Sequence, residues 1–131
     1  MKRLGMFISD LDGTLLTSER RLAAVDVAAL AELRRHGVRV ALATGRSEHS
    51  LERQLQLLGV ARDKRSLPVD YLIFSTGAGV SLFDAPTPLR SLALAGTPLA
   101  GALDVLDRLG IDYMVHKPIP HTAHFLFRRH G

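Results

Sequence analysis

A continuous apolar run from Leu4 to Ser9 breaks off at Asp10-Leu11-Asp12-Gly13, and nothing else in the 131 residues restricts the fold so strongly. An unalternated run of that length suits a strand buried on both faces, the kind found in parallel α/β sheets. The next segments keep the same grammar. Leu22, Val25, Ala29, Leu30 and Leu33 recur at helical spacing, and Gly37 supplies a left-handed stop. Val38–Ala43 reads as a second strand. Ser47 caps a helix that carries Leu51, Leu55 and Leu58 on one face and closes at Gly59. Asp70–Ser75 reads as a third buried strand. Strand, helix, strand, helix, strand predicts a Rossmann-like parallel α/β sheet with right-handed crossovers.

After Gly77-Ala78-Gly79 the pattern changes. Val80–Phe83 and Leu89–Leu94 read as the arms of a hairpin joined by Asp84–Pro88. Thr97-Pro98 offers an N-cap with proline at the first helical position, and Leu99, Leu103, Leu106 and Leu109 share one face of that helix up to Gly110. Ile111–His116 and Ala123–Phe127 read as strands on either side of a proline-containing loop. A boundary falls near Ala95-Gly96, dividing residues 1–95 from a second portion, 96–131.

Composition narrows the classes. Apolar residues make up 47% and charged residues 23%, the balance of a globular chain rather than a disordered one. No apolar run reaches membrane-spanning length, so no membrane partner is expected. Met1-Lys2-Arg3 precedes too few apolar residues for a secretory segment. Cysteine is absent, which excludes disulfide scaffolds, thiol catalysis and thiolate metal sites. The expected location is cytoplasmic. The net charge of +4 comes largely from scattered arginine pairs such as Arg20-Arg21 and Arg34-Arg35. Acidic neighbours and the lack of interleaved aromatic residues argue against a nucleic-acid partner.

The chemistry concentrates at Asp10-Leu11-Asp12-Gly13-Thr14-Leu15-Leu16. Ligands of open α/β sheets bind beyond the carboxyl ends of the strands. Residues two apart in an extended segment share a side, so Asp10 and Asp12 both reach that crevice. Gly13 permits the sharp exit. Two close carboxylates repel unless a cation lies between them or one is protonated, and a hard ion such as Mg²⁺ meets that need with few carboxylates plus water and phosphate oxygens. A carboxylate can also attack phosphorus. Bare turn and capping roles are the plainer reading of an isolated Asp-x-Asp. Ala43-Thr44-Gly45-Arg46 ends the second strand at the same edge, offering a hydroxyl, an approachable N–H and a guanidinium fork. Ser75-Thr76-Gly77-Ala78 ends the third strand, either as a glycine turn opening the hairpin or as a substrate contact.

The D-L-D-G-T-L-L string followed by a strand ending A-T-G-R resembles the haloacid dehalogenase-like (HAD) superfamily, and within it the Cof-like sugar-phosphate phosphatases. The likeness covers residues 4 to 95, and the remainder resembles the start of that subgroup's α/β cap. The resemblance implies a Mg²⁺-dependent phosphomonoester hydrolase acting on a small phosphorylated metabolite through an aspartyl-phosphate. Asp10 would be the nucleophile and a metal ligand. Asp12 would be the general acid and base, its carbonyl also touching the metal, and protonated when it faces the leaving group. Thr44 and Gly45 would hold the phosphoryl group, and Arg46, Thr76 and Gly77 would lie near the substrate.

Three departures accompany the likeness. Thr76 stands where the subgroup usually has asparagine. The lysine expected beyond the cap and the later Gly-Asp metal motif are missing: the lysines are Lys2, Lys64 and Lys117, and the last acid is Asp112. The sequence therefore reads as the amino-terminal part of a longer phosphatase or as a truncated, inactive product. The alternative function is a non-catalytic phosphate-binding or oligomerisation module; a phosphotransferase or phosphomutase would also keep Asp10. In the family, the first strand has a second neighbour from the missing carboxyl half, so here it would expose a bare apolar edge and either be poorly soluble or pair through that edge with another chain, self-association included. His116, His121, His124 and His130 read as surface residues; His121-x-x-His124 has no third metal ligand in prospect. The His116–Pro120 loop is a candidate substrate contact.

Overall fold

The computed structural model of the chain describes residues 5–85 and 87–131, so Leu4 of the first apolar run and Pro86 of the hairpin turn lie outside the described residues. The chain divides into two compact units, one ending at Ser91 and one beginning at Leu92.

In the first unit, strands β1 (Met6–Asp10), β2 (Arg39–Ala43), β3 (Tyr71–Phe74), β4 (Gly79–Leu82) and β5 (Pro88–Ser91) form one sheet in that order. The pairs β1·β2 and β2·β3 are parallel, while β3·β4 and β4·β5 are antiparallel. Helices α1 (Ala24–Arg35) and α2 (Glu48–Leu57) connect the parallel strands. This is the Rossmann-like α/β arrangement that the strand–helix alternation predicts. The core is built from Val40, Leu42, Leu72 and Phe74 on the sheet, Leu51 and Leu55 on α2, and Phe83 after β4, each almost wholly buried.

Among the described residues β1 lies at the sheet edge, as the lack of a second neighbour leads one to expect, but Met6, Phe7 and Ile8 are 44%, 36% and 52% exposed rather than covered on both faces. A strand bonded on one side only has no neighbour to shield its outer flank. Helix α1 starts at Ala24 because Leu22 instead bridges to Leu16 across a short antiparallel turn. Its inner stripe accordingly shifts to Val27, Leu30 and Leu33, leaving Val25 exposed. Ser47 caps α2 as its position predicts, its Oγ accepting the Ser50 N–H at 3.3 Å.

Asp70 lies just ahead of β3, not in it, and ties the carboxyl end of α1 to the amino ends of β2 and β3. Its carboxylate accepts the Val40 N–H at 2.9 Å and the Arg34 Nε–H at 3.2 Å, with Arg39 3.7 Å away. Burial by itself would push this carboxyl up; the Val40 N–H and the two arginines outweigh it and hold it below its ordinary range.

The second unit holds α3 (Gly96–Arg108) and the antiparallel pair β6 (Tyr113–His116) and β7 (Phe125–Arg128). The helix begins at Gly96, which puts Thr97 inside its first turn instead of at the cap. Leu99, Leu103 and Leu106 share a half-buried face, but Leu109 is exposed, and no residue of α3 is fully buried. One helix on two strands is too little material to enclose a core.

Candidate active site

The candidate residues leave the sheet at the carboxyl ends of its three parallel strands. In the β1·β2 register Asp10 stands opposite Ala43, so Thr44 and Gly45 lie one and two residues past the same level. β3 joins them there: the Thr44 N–H donates to the Ile73 carbonyl at 2.9 Å, and the Thr76 N–H donates to the Thr44 carbonyl at 3.3 Å. Thr44, Gly45 and Thr76 thus form one continuous rim beside Asp10. Gly77, next after Thr76, has φ +91° and turns the chain into β4.

The turn after β1 runs over Leu11–Leu15 and is closed by the Leu16 N–H on the Leu11 carbonyl at 2.9 Å. Leu11 and Leu15 point into the core, which anchors the loop that carries Asp12. Gly13 has φ +77°, a conformation that a side chain would strain, and this lets the chain reverse within one residue. Asp10 is exposed, and among the described residues no donor reaches its carboxylate.

Asp12 is engaged. Arg46 grips it with both arms, Nε–H to Oδ2 and Nη2–H to Oδ1, each at 2.7 Å. The side-on fork is the geometry in which arginine binds carboxylate most firmly. Arg46 is itself held from behind: its N–H donates to Thr44 Oγ1 at 3.1 Å, its Nη1–H reaches Ser50 Oγ at 3.3 Å, and its carbonyl accepts the Ser75 N–H at 2.7 Å. These hydrogen bonds from Arg46, aided by the charge of Arg20, hold the Asp12 carboxyl below its ordinary range despite the opposing pull of burial. Beside this guanidinium, with no leaving group present, the Asp12 carboxylate is ionised.

Sequence reading did not single out Ser50 or Arg20. Ser50 was legible in principle, since it sits four residues after Arg46 and one helical turn past the Ser47 cap. Arg20 depends on the Leu16–Leu22 bridge, which brings the intervening turn back towards Asp12.

Thr44 is buried, and its Oγ1 accepts from the Arg46 N–H while its own O–H donates to no group among the described residues. The Gly45 N–H donates to no group among the described residues. The rim therefore presents a hydroxyl and an amide donor, with a guanidinium beside them, next to a free carboxylate. Such a set can hold a tetrahedral anion. Asp10 and the Asp12 carbonyl supply hard oxygens of the kind Mg²⁺ takes, but among the described residues no group of three His, Cys, Asp or Glu gathers to close a metal site.

The late histidines of the second unit divide. His116 Nδ1 meets the Thr122 carbonyl at 2.8 Å, and His121 and His124 are exposed. His130 is not a surface residue: it is largely covered and sits 2.9 Å from Asp107 Oδ1 through Nε2. Among the described residues, no helix is long and apolar enough to cross a membrane.

Comparison with known proteins gives the family and the fold. The haloacid dehalogenase-like hydrolase family matches over residues 7–116. No curated protein matches the chain. Among solved structures, BT1666 from Bacteroides thetaiotaomicron, studied as one of the phosphatases of the HAD superfamily, superposes with a TM-score of 0.71 at 19% identity, over 96% of this chain and 42% of that one. A haloacid dehalogenase-like hydrolase from B. subtilis gives 0.63 at 19% identity, covering 88% and 38%. BT4131, described as a HAD subclass IIB sugar phosphatase, gives 0.58 at 21% identity, covering 88% and 41%. The chain thus spans about two fifths of the length of these proteins. With the family matched over most of its residues and the fold shared with these structures, the chain belongs to the haloacid dehalogenase-like hydrolases.

Proposed function

We propose that this chain carries the nucleophile and the phosphate-binding rim of a Mg²⁺-dependent phosphomonoester hydrolase that acts on a small phosphorylated metabolite. The observation that supports this most is the register: Asp10 opposite Ala43 sets an exposed carboxylate beside Thr44 and Gly45, whose O–H and N–H donate to no group among the described residues. Phosphoryl transfer asks chiefly for positioning and for neutralising charge on the equatorial oxygens, and these groups answer both needs.

Asp10 attacks phosphorus, the bond to the ester oxygen breaks, and an aspartyl-phosphate remains until water hydrolyses it. Thr44 and Gly45 hold the phosphoryl oxygens. Asp12 serves the leaving oxygen as general acid, which requires that it first lose Arg46 and take up a proton. An incoming phosphate is the group that can draw the guanidinium away, because it offers the fork a second pair of oxygens. Substrate binding then both occupies Arg46 and frees Asp12. Thr76 and Gly77 border the substrate on the β3 side. Mg²⁺ would be held by the Asp10 carboxylate and the Asp12 carbonyl, and when bound it would offset the charge of the phosphate.

A second reading is a non-catalytic phosphate-binding module, favoured by the closed Asp12–Arg46 pair and the lack of a complete ligand set among the described residues. Hydrolysis of an aryl phosphate with Mg²⁺ separates the two. Turnover that disappears in Asp10→Asn supports the hydrolase. Phosphate binding without turnover supports the module, and turnover that survives Asp10→Asn overturns the nucleophile assignment.

A further inference from the structure

We infer that Arg62 is a positioning residue for Arg46: its guanidinium staples together the two segments that leave the rim and so fixes the turn from which Arg46 reaches Asp12. This rests on the reading in which Arg46 holds Asp12 and releases it to serve the leaving oxygen. The segments are α2, which follows Arg46, and β4, which follows Gly77. Arg62 lies in the loop after α2, its side chain only 17% exposed. Towards β4, its Nε–H donates to the Phe83 carbonyl at 2.9 Å. Its Nη2 stands 3.1 Å and 3.0 Å from the Leu82 and Ala85 carbonyls and 3.2 Å from Ser81 Oγ. Towards α2, its Nη1–H donates to Glu52 Oε1 at 2.9 Å, and Nη1 lies 3.7 Å from Glu48 Oε1.

Glu48 and Glu52 stand one helical turn apart on α2, where like charges repel. Glu48 is buried, and burial first and Glu52 second push its carboxyl above the ordinary range, against the pull of Arg62. A buried acid beside a second acid needs a cation between them, so the first turn of α2 is fixed by where Arg62 stands. That turn begins at the Ser47 cap, one residue after Arg46, and it carries Ser50, whose Oγ accepts the Arg46 Nη1–H at 3.3 Å. From the other side, the Ser75 N–H, in the turn that leads to β4, donates to the Arg46 carbonyl at 2.7 Å. Both supports of Arg46 thus belong to segments that Arg62 joins. Lysine would supply the charge but, with a single nitrogen, could not reach α2 and the β4 carbonyls together.

Solvent exchange of the Arg46 Nε–H, followed by nitrogen-detected NMR on the folded chain, tests this without phosphate or turnover. The staple therefore fails or stands apart from the hydrolase reading, which the aryl phosphate assay decides. Side-chain exchange proceeds through local opening, so a fall in global stability alone leaves it unmoved. In Arg62→Lys the exchange is expected to quicken by about tenfold, the equivalent of losing one charge-assisted hydrogen bond. Glu48→Gln, which cuts the tie at its buried end without adding bulk, is expected to quicken it too, and it supplies the reading should Arg62→Lys not fold. Unchanged Arg46 exchange in either variant that retains native circular dichroism, with or without a lower melting temperature, reduces Arg62 to a structural brace and overturns the proposal.

Discussion

Both oxygens of Asp12 are held by the guanidinium of Arg46, a residue 34 positions further along the chain, at 2.7 Å each. The pair crosses from the turn after β1 to the turn after β2, so it exists only when the two strands are in register. Asp10, two residues earlier, has no such partner among the described residues. Two aspartates that are equivalent by spacing are thus unlike in the fold.

Removing that guanidinium changes the titration of Asp12. In Arg46→Met the Asp12 carboxyl is expected to titrate higher, back towards its ordinary value of 3.8, because the main force lowering it has gone. Carbon-detected NMR of the side-chain carboxyl reads this directly. An unchanged titration would mean that the ion pair is not held in solution.

Asp70 governs stability in acid. Asp70→Asn keeps an acceptor for the Val40 N–H but leaves Arg34 and Arg39 without their anion, at a cost of about 2 kcal/mol. In the unaltered chain the folded carboxyl titrates below its ordinary 3.8, so its stabilisation is complete above that value and fades as the pH falls through the lower one. Urea denaturation across this range should show the loss in the unaltered chain and a flatter profile in Asp70→Asn.

Gly45 separates folding from binding. A Cβ built there meets only Thr76 Oγ1, at an ordinary contact distance of 3.8 Å. Gly45→Ala is therefore expected to change stability by less than about 1 kcal/mol. The same methyl crowds the approach of an anion to the Gly45 N–H, so phosphate affinity should fall by about tenfold. Thermal unfolding and phosphate calorimetry on one sample check both halves.

Thr76 sits at φ +55°, where a β-branched side chain is strained. Asparagine tolerates this region better, which gives a physical reason for the asparagine that the resemblance expects here. Thr76→Asn is expected to stabilise the chain by about 1 kcal/mol, measured as a shift of the denaturation midpoint at constant slope.

How much of the fold was legible in the order of amino acids varies with the range of the interaction. The Ser47 cap and the glycine exit at Gly13 depend on neighbours within a few residues, and both hold in the structure. The inner face of α1 does not depend on neighbours alone. Its periodicity admits Val25, but the Leu16–Leu22 bridge delays the start of the helix and turns Val25 outward. The edge position of β1 comes from strand order, which no local pattern contains and which only the family resemblance led one to expect.

The sequence by itself determined that an apolar strand ends in two aspartates and that a second strand ends in Thr-Gly-Arg, because chain sterics and periodicity act within a few residues. Only the tertiary structure decided that Arg46 closes on Asp12 and that Asp10 is left without a partner among the described residues. Those outcomes rest on contacts between segments more than thirty residues apart, whose register is set by packing of the whole sheet.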